Sequence, residues 1–268
     1  MNVGLIIIGD EILSGKRADK HLPRVIEMLA ARGMELAWAR LVGDDPERIK
    51  ADLKDAFASG DLVFSCGGIG ATPDDHTRQC AAAALGVPLV LHPEARDFVI
   101  ERMKDVAREQ GTTFDPDRDD NRHRLNMAVF PAGAEIIPNP YNKIAGFALR
   151  SGAGGVFFVP GFPVMAWPMI EWVLDRHFGH LHVAAATRER SVIVFGAMEA
   201  ALTPLMESIE SGFAGVHVFS LPSVDHPEWG RHIELGVKGK AGLLDAAYAQ
   251  LLEGLKRQDA KLGPELVR

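Results

Sequence analysis

Three stretches in the first 66 residues constrain the fold most: each reads as a strand whose exit pairs glycine with an acid and leads toward a segment of helical spacing. Residues 3–8 (VGLIII) run to Gly9-Asp10, and residues 22–31 then carry apolar side chains at helical spacing until Gly33 stops them. Residues 35–42 read as a second strand ending at Gly43-Asp44, followed by a predicted helix over 46–59 with proline in its first turn. Residues 61–65 read as a third strand, followed by CGGIGATPDDHT at 66–77 and a predicted helix over 77–85. Strands alternating with helices of about ten residues imply crossover units with cover on both sides of the sheet, so the spacing predicts an α/β fold with a three-layer, mainly parallel sheet.

Further along, residues 94–110 read as an amphipathic helix and the Asp- and Arg-rich residues 112–124 as a surface excursion. Residues 134–138, 146–149 and 156–159 read as strands, and 164–178 as a helix. The pattern pauses over 177–190, where His and Ala accumulate. Beyond it, strands at 191–195, 216–220 and 232–237 and helices at 200–211 and 242–257 give a β-α-β-β-α order, expected as a small α+β domain over 190–258. The tail after Gln258 is expected to fray.

Ligands of an open parallel sheet bind beyond the carboxyl ends of its strands. Here those ends carry Gly9, Asp10 and Ser14, then Asp44 and Asp45, then Gly67, Gly68, Gly70, Thr72, Asp74, Asp75 and Thr77. Glycine amides can cradle phosphate, yet carboxylates repel it; a hard cation such as Mg²⁺ between the two removes the conflict. The expected ligand is therefore a small metal-complexed phosphate ester or diphosphate, with a carboxylate free to orient water. A plain reading stays open for each site: Asp44 or Asp45 as the cap of the helix at Pro46, Asp74 or Asp75 as the cap at Thr77, and Ser14-Gly15 as a turn.

Other chemistries find less support. The glycines do not spell G-x-G-x-x-G, since Pro73 stands three places after Gly70, and no P-loop motif occurs. A net charge of −7, from 29 basic and 36 acidic residues, without a basic run, argues against nucleic acid as partner. Cys66 and Cys80 suit packing in a reducing compartment better than a disulfide or a nucleophile. His177, His180 and His182 suit a linker better than a zinc site. Arg118, Arg122 and Arg124 suit a solvated loop better than a phosphate clamp. The first residues lack a charged leader, and their apolar run is too short to span a membrane, so a cytoplasmic address is expected.

GDEILSG at 9–15, LVGDDPERI at 41–49, CGGIGATPDDHT at 66–77, NMAVFPAGAEIIPNP at 126–140 and VPGFP at 159–163 together resemble the molybdopterin-binding (MoaB/Mog-like) domain, in the version at the N-terminus of CinA, the competence/damage-inducible protein A. The resemblance covers residues 1–178 and implies a homo-oligomer that binds molybdopterin or a nucleotide phosphate. It gives Asp44 and Asp75 the catalytic and metal-binding roles, with Gly9, Asp10, Ser14, Gly67, Gly68, Gly70, Thr72, Asp74 and Thr77 around the ligand. In the CinA branch it further implies metal-dependent hydrolysis of ADP-ribose, and in the cofactor-assembly branch a binding role in molybdenum cofactor biosynthesis. The chain ends at Arg268, which leaves the amidase domain of longer relatives expected absent. The sequence departs from the family pattern at Lys20-His21, where an Asn is usual, at residues 142–147 in place of GTAPGF, and at Arg78-Gln79 in place of Pro-Glu, the last favouring the CinA branch.

Overall fold

The computed structural model describes residues 1–182, 188–239 and 241–267, which include two compact units, Met1–His182 and Val183–Arg268. In the first, β1 (Val3–Ile8) is followed by a one-turn helix α1 (Asp10–Leu13) and by α2 (His21–Ala30). Then come β2 (Trp38–Val42), α3 (Pro46–Ser59), β3 (Leu62–Cys66), α4 (Thr77–Leu85), β4 (Leu89–Leu91) and α5 (Pro93–Glu109). Next are α6 (Asp119–Arg124), a 3-10 turn (Leu125–Ala128), β5 (Val129–Pro131), β6 (Glu135–Ile137), β7 (Gly146–Ser151), β8 (Gly154–Val159) and α7 (Pro163–His177).

Six of these strands form one sheet in the order β2-β1-β3-β8-β7-β6. The first four are parallel, and β7 and β6 turn back antiparallel. Alternate side chains of β1 enter opposite layers: Ile6 and Ile8 pack with Ile49 and Leu53 of α3 and Val99 of α5, while Leu5 and Ile7 pack with Val25 and Leu29 of α2 and Ile170 of α7. The three-layer α/β architecture expected from the apolar strands is therefore present, with an antiparallel edge added. Burying each such aliphatic side chain contributes about 1.5–3 kcal/mol.

Several elements differ from the sequence expectation. The second strand starts at Trp38, whose indole lies over Gly4, 2.2 Å from where a Cβ there would sit, and donates from Nε1 to Asp61 at 3.2 Å. Residues 112–124 are not wholly irregular: α6 forms in their second half, tied back by Asn121 Nδ2 donating to the Asp115 carbonyl at 2.7 Å. The β4–β5 ribbon has no signature in the sequence, because its strands are three residues long and far apart in the chain.

The second unit contains β9 (Arg188–Phe195), α8 (Glu199–Gly212), β10 (Val216–His226), β11 (Gly230–Gly239), α9 (Ala241–Arg257) and β12 (Lys261–Val267). Its sheet, ordered β10-β11-β9-β12, is antiparallel throughout, and α8 and α9 share one core with it through Leu202, Leu251, Val192 and Leu235. The tail expected to fray is instead β12, paired with β9 across a bulge between Leu262 and Glu265. The His- and Ala-rich pause at 177–190 includes residues 183–187, which lie outside the described residues. Among the described residues no helix is long and apolar enough to cross a membrane.

Candidate functional site

The carboxyl ends of β1, β2 and β3 open into one cavity of about 590 Å³. Gly9 lines it from β1 and Asp44 from β2; Gly67, Gly68, Gly70, Thr72, Asp74 and Asp75 line it from β3. The shared rim expected from the glycine and acid pairs is thus a single hollow. Asp10, Ser14 and Thr77 do not line it: Ser14 is exposed beyond α1, and Thr77 is fully buried.

Each exit has a local reason for its shape. Asp45, not Asp44, caps α3, its Oδ1 accepting the Arg48 N–H at 2.8 Å ahead of a first-turn proline. Asp44 is thereby left for the cavity and linked to Asp10 instead. The Asp10 N–H donates to Asp44 Oδ2 at 2.9 Å, and the Asp44 N–H donates to Asp10 Oδ1 at 3.1 Å, so the two exits hold each other in register. Burial pushes the Asp44 carboxyl above its ordinary range, and the nearby carboxylates of Asp10, Glu11 and Asp74 push the same way against the Asp10 N–H.

At the third exit Gly67 and Gly68 have φ of 108° and 67°, values that favour glycine. The Gly67 N–H donates to the Val159 carbonyl at 3.0 Å, so this residue shapes the loop and is not one of its open donors. Its carbonyl accepts the Thr77 hydroxyl at 3.1 Å, and the Gly68 carbonyl accepts the Thr77 N–H at 3.0 Å. Thr77 therefore anchors the loop onto α4. Among the described residues the N–H groups of Gly68, Ile69, Gly70 and Ala71 have no protein acceptor, leaving a run of successive donors that suits phosphate oxygens. Asp75 does not cap α4; its Oδ2 accepts the Thr72 N–H at 2.8 Å and the Thr72 hydroxyl, leaving Oδ1 toward other partners.

Residues far away in sequence complete the hollow. Glu11 and Arg17 border it near β1, while Val99, Met103 and Met127 supply an apolar wall with Arg102 and Arg124 beside it. Arg124 also pairs with Asp120 at 3.5 Å, so one member of the arginine group at 118–124 does reach the cavity; Arg118 and Arg122 pair locally with Asp120 and Asp117. No pattern in the sequence marks these walls, because α5, α6 and the 3-10 turn reach the site only through packing.

Arg78 is 4 % exposed, and its guanidinium donates to the carbonyls of Gly70 and Asn126, tying the glycine loop to the turn that carries Met127. Burial lowers its pKa while Asp75 opposes that shift. Burial raises the Cys66 thiol and pushes that of Cys80 up to about 11, so neither is poised as a nucleophile. His177 Nδ1 lies 2.8 Å from the Arg150 guanidinium, and His182 lies 4.0 Å from Asp175.

Among the described residues no group of three or more His, Cys, Asp or Glu side chains is placed to hold a metal by itself. The donor set suits a different arrangement. A hard divalent cation takes one or two protein carboxylates together with phosphate oxygens and waters, and Asp44 and Asp75 on the wall of one cavity can supply that protein share.

Comparison with known proteins agrees with this architecture. Residues 4–180 match the family described as "Probable molybdopterin binding domain". A CinA-like protein of Anaeromyxobacter dehalogenans (strain 2CP-C) is 36% identical over 177 residues, covering 66% of this chain and 41% of the relative. Another CinA-like protein, from Anaeromyxobacter sp. (strain Fw109-5), is 32% identical over 268 residues, covering 95% of this chain and 62% of the relative. The chain thus spans between about two-fifths and three-fifths of the length of these relatives. The crystal structure of the protein CinA, of unknown function, from Thermoplasma acidophilum matches with a TM-score of 0.56 at 25% identity, covering 66% of this chain and 98% of that one.

Proposed function

This chain belongs, through residues 4–180, to the molybdopterin-binding domain family, and from that premise we propose that its cavity binds a phosphorylated nucleotide or pterin and hydrolyses a diphosphate such as ADP-ribose. The observation that carries the reading is the convergence of three strand exits on one hollow, whose lining combines residues 68–71, with their open amides, and Asp44 and Asp75. The amides of Gly68, Ile69, Gly70 and Ala71 hold phosphate oxygens, and the apolar wall of Val99, Met103 and Met127 takes a planar ring.

A divalent cation, Mg²⁺ in the first instance, neutralises the diphosphate when bound. Asp44 and Asp75 would be its protein ligands, supported by Asp10 and Asp74, with Gly9 and Thr72 bordering the ligand and Ser14 and Thr77 acting through the loops they belong to. Asp75 Oδ1 also accepts a proton from the attacking water as its oxygen forms a bond to phosphorus. The P–O–P bridge then breaks, and ADP-ribose plus water gives AMP and ribose 5-phosphate. Buried thiols at Cys66 and Cys80 suit a reducing cytoplasm, and a homo-oligomer completes the proposal, to be measured by light scattering.

The test is incubation of the protein with ADP-ribose, with and without Mg²⁺, followed by chromatography for AMP. Metal-dependent AMP release supports the reading, and its disappearance in Asp75→Asn supports the assigned role. A second reading draws on the family description itself, which names binding and no reaction: a non-catalytic molybdopterin-binding protein linked to molybdenum cofactor biosynthesis. Tight binding without product favours it.

A further inference from the structure

The loop at 138–144 borders two separate cavities. Asn142 and Ile144 line the main hollow, whereas Pro138, Asn139, Pro140 and Lys143 line a second cavity of about 430 Å³ that shares no wall residue with it. Two helices divide in the same way: Val99 and Arg102 of α5 and Met165 of α7 line the first cavity, and Phe98, Glu101, Pro168 and Trp172 line the second. Its volume lies in the range of small-molecule sites.

The loop that walls this cavity is held in one conformation. Asn139 is 4 % exposed; its Nδ2 donates to Asn142 Oδ1 at 2.8 Å and to the Ile144 carbonyl at 2.9 Å, and its Oδ1 accepts the Tyr141 N–H at 3.0 Å. Lys143 has a φ of 67°, which is costly for a residue with a side chain. It is kept there by its N–H, which donates to the Asn139 carbonyl at 3.1 Å, and by its Nζ, which donates to Glu101 Oε1 at 2.6 Å and Asp105 Oδ2 at 2.9 Å. Asn142 and Lys143 belong to the stretch at which the sequence departs from its family pattern.

Those bonds also decide which ligand the cavity can take. Phe98, Trp172 and the three prolines present apolar rings, the kind of surface on which a flat aromatic group packs. The Asn139 amide is fully engaged and the Lys143 ammonium is already paired with two carboxylates, so the wall holds no open cation for a phosphate or carboxylate. Glu101 and Lys143 balance in charge, and an ionised ligand gains no net attraction. The Glu101 carboxylate accepts from Lys143 at Oε1 and from no other donor among the described residues, which leaves it an open acceptor. An acceptor set among ring surfaces calls for a ring that carries an N–H donor.

We infer that this cavity is a second ligand site, for an uncharged heteroaromatic ring bearing an N–H group, packed on Trp172, Phe98 and the prolines and hydrogen-bonded to Glu101. The site stands apart from the proposed phosphate seat and does not depend on it. Its occupant would bear on the same loop that walls the main hollow.

The experiment is two-dimensional NMR of the uniformly nitrogen-labelled full chain, titrated with indole and with benzofuran, which keeps the shape and replaces the N–H by oxygen. Trp172→Phe assigns the Trp172 indole signal. Indole is expected to shift that signal together with the backbone N–H signals of Glu101, Asn139 and Lys143, and benzofuran to bind about tenfold more weakly, on the scale of one hydrogen bond to a charged acceptor. In Glu101→Ala, where Lys143 keeps Asp105 as its partner, the two probes are expected to bind alike. Pro168→Phe fills the cavity from a position inside α7, where losing a proline does not harm the helix, and is expected to abolish binding of both. Dispersed amide spectra report that each variant is folded. A Trp172 signal unmoved by indole, as a second copy seated over the cavity would also give, overturns the inference, and so do shifts confined to the lining of the main hollow. Benzofuran binding as tightly as indole to the unmodified protein, or undiminished indole binding in Pro168→Phe, overturns it as well.

Discussion

Replacing Gly67 and Gly70 separately with alanine should divide the glycine loop into a part that holds the fold and a part that holds the ligand. At Gly67 an added Cβ would lie 2.3 Å from the backbone carbonyl oxygen of Ile8, and φ is 108°. Strain of that kind costs about 1–3 kcal/mol, and forcing β1 and the loop apart adds about 1–3 kcal/mol. A total near 4 kcal/mol lowers Tm by roughly 8–16 °C for a unit of this size. At Gly70 the added Cβ would instead meet Asp75 Oδ2 at 2.5 Å, the far end of a flexible side chain, with no unfavourable φ. The carboxylate swings away and loses its bonds from Thr72, which on a solvated loop costs about 1 kcal/mol or less. For the role proposed for Asp75, a displacement of an ångström at its carboxylate nevertheless costs on the order of 10²-fold in turnover. Differential scanning fluorimetry and the AMP-release assay read the two effects. Gly67→Ala melting like the unmodified protein, or Gly70→Ala retaining full turnover, refutes the reasoning; Gly15→Ala, with φ of 72° and nothing within 4 Å, is the control for backbone strain alone.

Asp44→Asn is expected to raise Tm at neutral pH while weakening Mg²⁺-dependent ligand binding. The folded-state pKa of Asp44 is raised, so the folded protein binds its proton more readily than the unfolded chain; stability falls as pH rises through that window, and the substitution removes the penalty above it. The gain should vanish in acid, where the carboxyl is protonated in both states, and a series of melting curves from acid to neutral pH checks this. In the unmodified protein, Mg²⁺-dependent binding should decline on acidification from a higher pH than an ordinary carboxylate would give. Arg78→Met leaves the Gly70 and Asn126 carbonyls without their donor, at about 1–3 kcal/mol each, and should lower both Tm and ligand affinity. Deleting residues 261–268 bares the β9 edge and should lower the urea midpoint of the second unit, followed by the fluorescence of Trp229.

The parts of this site legible in sequence are those that a strand delivers directly. Gly9, Asp44 and the 66–77 loop each follow a stretch that reads as a strand, and the rule that ligands gather at the carboxyl ends of parallel strands places all three on one rim. That rule does not orient a backbone. Gly67 reads as an open amide in sequence, yet β8 runs beside β3 and its Val159 carbonyl takes that N–H. Nor does the rule separate neighbours: Asp44 and Asp45 look equivalent until the α3 N-terminus claims Asp45. Arg17, Arg102 and the methionine wall have no local signature, since the path of the chain brings them to the cavity, and Arg124, which reads as part of a solvated charged loop, reaches it through the packing of α6. The same limit applies to β12, whose Gly263-Pro264 reads as a loose end but sits in a bulge on an edge strand, where a proline lacking a ladder donor is tolerated.

The most direct test of the phosphate seat is amide NMR of the uniformly labelled protein titrated with ADP-ribose and Mg²⁺. The largest shifts are expected at the N–H groups of Gly68, Ile69, Gly70 and Ala71, with Gly67 moving less because Val159 holds it. Shifts confined to residues 188–267, or an unmoved 68–71 loop at saturating ligand, would contradict the account.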